Sequence, residues 1–88
     1  MKLRSRQQKK EKSLWDSPEY ERAKKRVARM STHDMVGRAD DLSTQMGVFI
    51  SEFSMERTPE VRSHLLNELK IAASSYQAII EELITREE

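Results

Sequence analysis

Phe49-Ile50-Ser51-Glu52-Phe53-Ser54-Met55-Glu56-Arg57-Thr58-Pro59-Glu60-Val61-Arg62 is the stretch on which the fold turns. A helical apolar pattern runs out at Phe53, a short polar link follows, and Thr58-Pro59-Glu60 carries the marks of a new helix start. The Thr58 hydroxyl is expected to accept a hydrogen bond from a free first-turn N–H. Pro59 fits the first helical position, where its missing donor would be unpaired anyway, and Glu60 meets the positive helix end. A link over about 54–58 is short enough to return the second helix antiparallel to the first. The sequence therefore predicts an all-α chain built on an antiparallel helical hairpin.

Upstream of the link, Met35, Ala39, Leu42, Met46, Phe49 and Phe53 alternate four- and three-residue steps, which holds them on one face of a helix over about 32–54. Val36 and Ile50 widen that face. Downstream, Leu65, Leu69, Ala72, Tyr76, Ile79 and Leu83 repeat the device over about 59–86, broadened by Val61, Leu66, Ala73, Ile80 and Ile84. This second arc spans about 140°, wider than a two-helix seam requires. Each long helix is expected to meet more than one neighbour, and a homodimer is expected in which Leu69 and Phe49 are central.

Two further helix starts precede the hairpin. Ser17-Pro18-Glu19 repeats the hydroxyl-proline-acid pattern and opens a short helix over about 18–30, whose apolar stripe is only Tyr20, Ala23, Val27 and Met30. Ser31-Thr32-His33-Asp34 resembles a capping box with Asp in place of the usual Glu or Gln. Residues 1–14 are so rich in Lys, Arg and Gln that they read as a flexible basic arm, leaving residues 15–88 as a single helical domain. Trp15 is expected to fold back beside Tyr20 as a staple at the helix entry.

The run Trp15-Asp16-Ser17-Pro18-Glu19-Tyr20, the Ser31-Thr32-His33-Asp34 start and the closing Ile80-Glu81-Glu82-Leu83 resemble small uncharacterised helical proteins of actinobacteria and their phages. The resemblance covers residues 15–84 and implies no activity and no functional residues.

Charge is sorted along the chain. Residues 1–33 hold 11 Lys/Arg against 4 Asp/Glu, and residues 34–88 hold 5 against 11, so the overall +1 conceals a basic half and an acidic one. Such asymmetry favours an interaction protein over an enzyme. The absence of cysteine excludes disulfides, thiolate nucleophiles and Cys-type zinc sites, and fits a reducing, cytoplasmic setting. Neither a secretion signal nor a membrane span is expected, because no apolar run is long enough. Glu60, His64 and Glu68 share a helix side, but dimetal bundle sites use Glu-x-x-His rather than this four-residue step. With no phosphate-binding loop, dinucleotide turn or Ser/His/Asp arrangement, no catalytic group, cofactor, metal or small-molecule substrate is expected.

Two functional readings follow. The first is a small non-enzymatic interaction or regulatory protein, binding itself as a homodimer or a host protein through Leu42, Met46, Phe49, Phe53, Leu65, Leu69, Tyr76, Ile80 and Leu83. The second is a nucleic-acid-binding accessory protein. Arg22, Lys25, Arg26 and Arg29 fall on the side of the first helix opposite Tyr20 and Val27, where, with the basic arm, they would neutralise phosphates. Gly47, four residues from Ser43, is expected to admit a close helix neighbour, with the small residues of 72–75 as a candidate counterpart; Gly37 projects to the polar side. Val48 and Ile71 break the apolar pattern of their helices.

Overall fold

The computed structural model describes residues 17–88; the basic arm and Trp15 lie outside them. Three helices and no strand occur among the described residues: α1 (Pro18–Val27), α2 (Thr32–Met55) and α3 (Pro59–Glu87). The all-α class expected from the sequence holds.

The helix starts fall where the capping signals put them, but not all by the expected chemistry. Ser17 Oγ accepts from the Tyr20 amide at 3.1 Å and Ser31 Oγ from the Asp34 amide at 3.0 Å, each satisfying one orphan donor of a first turn. Thr58 makes no side-chain cap bond. Its backbone is turned to ψ 121, against 154 at Ser17 and 157 at Ser31, and its own amide donates to Glu56 Oε2 at 3.2 Å. α1 closes earlier than the expected Met30. The amides of Arg29 and Met30 reach back only three residues, to the carbonyls of Arg26 and Val27, tightening the last turn before Ser31 starts α2.

α3 is the organising element, since α1 and α2 both pack on it. Arg62 at its start reaches the end of α2, and Arg86 at its end reaches the start of α2, so α3 runs back alongside α2. The centre of the core is Met35, Leu42 and Ile79, each 2% exposed or less, joined by Tyr20, Ala23, Val27, Ala72 and Ala78. Leu69 and Phe49 are half-buried within one chain, so its fully buried centre lies towards the α1 end. The reason is length. α1 is about 15 Å long and α3 about 44 Å, so α1 closes over only part of α3.

The seat of α1 on α3 is a row the apolar pattern did not reveal. Ile71, Ser75, Ala78, Glu82 and Thr85 alternate four- and three-residue steps along a second side of α3, and each borders α1. Four of the five are small or polar, so no hydrophobic stripe advertises the contact. Small side chains let the two backbones approach: Ala78 is 1% exposed, and the fully buried Ser74 beside it donates its hydroxyl to the Lys70 carbonyl at 2.9 Å. Ile71, anomalous on the sequence alone, is half-buried at the edge of α1, whereas Val48 stays exposed on α2.

Candidate interaction surfaces

Two arginines of α3 hold the ends of the other helices. Arg62 Nη1 donates to the carbonyls of Phe53 at 3.1 Å and Glu56 at 2.7 Å, while its guanidinium lies 3.9 Å from the centroid of the Phe53 ring. The last carbonyls of α2 are thereby satisfied by a cation at the negative end of the helix. Arg86 does the same for α1: Nη2 lies 3.4 Å from the Val27 carbonyl and 3.5 Å from that of Ala28. Its Nη1 donates to Thr32 Oγ1 at 3.1 Å, and its Nε donates to Glu82 at 3.0 Å. Sequence reasoning passed over both arginines, because a cap supplied from another helix leaves no local spacing signal.

Between these ends, Tyr20 and Glu81 fasten α1 to α3. The Tyr20 phenol donates to Glu81 Oε1, and Gln77 Nε2 donates to Oε2 at 3.1 Å. The bond to Glu81, burial, and the charges of Glu81 and Glu21 push the phenol up to about 12. The same bond, aided by Gln77 and Lys24, holds the Glu81 carboxyl below the usual carboxylate range. Lys24 lies 5.4 Å from the centroid of the Tyr20 ring, over its face.

The nine residues nominated for a protein interface separate by burial. Leu42 and Leu65 lie inside the chain; Met46, Phe49, Phe53, Leu69, Tyr76 and Leu83 are half-buried along the α2/α3 seam; Ile80 is exposed. Free apolar surface is carried mostly by residues that only broadened the pattern: Val36, Ile50, Leu66 and Ile84 are 47–55% exposed and Ile80 37%. Val36, Ser43 and Ile50 repeat every seven residues on α2, and Leu66, Ala73 and Ile80 do so on α3. Each row sits about 60–100° around its helix from the buried seam, in the same rotational sense. For two right-handed helices running in opposite directions, the same sense of rotation turns both rows to one side of the pair. The register fixed by Arg62 and Arg86 sets Ile50 near the level of Leu66, Ser43 near Ala73, and Val36 near Ile80.

Gly47 lies on this open side. An added Cβ at either Gly47 or Gly37 would meet nothing within 4 Å, so no helix of this chain approaches Gly47 closely. The expected small-residue pairing with 72–75 does not form within the chain; Ser75 borders α1 instead.

Arg22, Lys25, Arg26 and Arg29 are all exposed on the outer side of α1. The carboxylates of the first turn, Glu19 and Glu21, form no ion pair with them; the only ion pair among the described residues is Arg86–Glu82. No group of three His, Asp or Glu among the described residues is placed to hold a metal ion, and no helix among them is long and apolar enough to cross a membrane. No family model, curated protein or solved structure matches the chain.

Proposed function

We propose that this chain is a small non-enzymatic interaction protein whose α2–α3 hairpin self-associates as a homodimer through its open apolar side. The reading rests on one observation: the rows Val36-Ser43-Ile50 and Leu66-Ala73-Ile80, exposed except at the half-buried Ala73, share a side and a register. With Ile84 the α3 row is about 27 Å long. An apolar strip of that length and two helices wide is on the scale of the patches that mark interaction sites rather than scattered surface residues.

A second copy is the occupant the pattern suits. Small residues, Ser43, Gly47 and Ala73, lie at the middle of the strip, and larger apolar pairs, Ile50/Leu66 and Val36/Ile80, lie towards its ends. A two-fold interface requires a self-complementary patch, in which one residue meets a second and the second meets the first, and small residues at the middle with larger apolar pairs at both ends suit that requirement. Four helices packed in this way would cover the side that α1 leaves open.

Sedimentation equilibrium at micromolar concentration tests the proposal. The expected species has twice the 10.3 kDa chain mass. Leu66→Glu combined with Ile80→Glu should yield a helical monomer, because both positions are exposed within one chain. A wild-type chain that stays monomeric throughout the micromolar range would leave the strip without its assigned occupant.

A further inference from the structure

We propose that the outer side of α1 is a docking strip for the phosphate backbone of double-stranded nucleic acid, with Arg22, Lys25, Arg26 and Arg29 as its contacts. All four are exposed, and none is engaged by a carboxylate among the described residues. The apolar side of α1 is buried on α3 through Tyr20, Ala23 and Val27, so docking fixes the cations on the opposite side, facing outward. Tyr20–Glu81 and the Arg86 clamp set the position of that helix at each end, making the strip part of a fixed surface.

The dimensions suit a duplex. Arg22 to Arg29 covers about 10 Å of helix, and each strand of a duplex presents a phosphate about every 3.4 Å of its axis, so the spacing of the cations is on the scale of successive phosphates. An acidic protein surface would have to align its own carboxylates with these four cations; a duplex supplies phosphates at every point along its length. The four cations lie along one exposed side with no neighbouring group fixing a base-reading geometry, so the contacts assigned to them are to phosphates, which position without reading sequence. The strip points away from the proposed self-association side, and binding does not depend on that association.

Fluorescence anisotropy with the full chain and a labelled 20-base-pair duplex of arbitrary sequence, titrated between 50 and 200 mM salt, is the test. Four phosphate contacts predict a log–log slope of about −3.6, a loss of about 100-fold in affinity over that range. The variant R22Q/K25Q/R26Q/R29Q should make the slope shallower by about 3–4 and keep the wild-type circular dichroism. Arg26→Gln alone, the milder variant, should make it shallower by about 1. No binding at 50 mM salt, or a slope that neither variant changes, overturns the proposal. Tighter binding to polyglutamate than to the duplex also overturns it and assigns the strip to an acidic protein partner.

Discussion

Tyr20 and Glu81 are 61 residues apart in sequence, and their side chains share the hydrogen bond that ties α1 to α3. Tyr20 is 5% exposed, and the acceptor of its phenol is a carboxylate that also receives Gln77. Tyr20→Phe keeps the ring and removes the donor, leaving that carboxylate short of a partner. A loss of about 1.5 kcal/mol in urea denaturation is expected, and a variant as stable as wild type would show that the ring alone docks α1.

The same pair gives stability a two-sided pH dependence. Glu81 is held below the ordinary carboxylate value of 4.5, so its contribution is present above that pH and is lost as acid titrates it through its lowered folded value. Tyr20 is raised from 10.0 to about 12, so its contribution is complete below pH 10 and is lost as pH climbs through about 12. Denaturation midpoints should be flat in this respect from about pH 5 to 9.5 and fall on both sides. Tyr20→Phe should remove the alkaline fall and weaken the acid one.

Arg62→Lys tests the cap at the end of α2. Lysine keeps the charge but loses the planar fork and the stacking on Phe53, so a loss of about 1 kcal/mol is expected. An unchanged thermal midpoint would mean that charge alone suffices there.

Leu42→Ala and Leu69→Ala locate the core. Leu42 is 2% exposed and its truncation should cost about 3 kcal/mol, whereas the half-buried Leu69 should cost about half as much in a monomeric background carrying L66E/I80E. The reverse order would move the centre of packing towards the α2–α3 link.

Gly47→Ala and Gly37→Ala separate tolerated weakness from a reserved approach. Neither added methyl meets an atom of this chain, so both should stabilise the monomer by up to about 1 kcal/mol. In the dimer, only Gly47→Ala should raise the dissociation constant, because only Gly47 borders the open strip. Equal behaviour of the two variants would detach Gly47 from the interface.

The sequence by itself determined the helices. Proline after a hydroxyl residue, and alternating apolar spacing, act within a few residues, so the three starts and the shared faces of Met35, Leu42 and Phe53, and of Leu65, Ala72 and Ile79, can be read from neighbours alone. The outward placement of Arg22, Lys25, Arg26 and Arg29 followed in the same way, from the apolar stripe opposite them. Where α1 sits was decided only in three dimensions. Its seat on α3 is built from Ser75, Ala78, Glu82 and Thr85, residues that attract no helix by hydrophobicity and act by leaving room for one. The ties that hold it there, Tyr20 to Glu81 and Arg86 to the Val27 carbonyl, join polar groups about sixty residues apart. No local pattern encodes such a pair, because a hydrogen bond between distant polar side chains exists only once packing has brought both ends together and excluded the water that would otherwise satisfy them. The open side of the α2–α3 pair arises from the same tertiary choice: α1 took the other flank of α3, and Val36, Ile50, Leu66 and Ile80 were left facing outward.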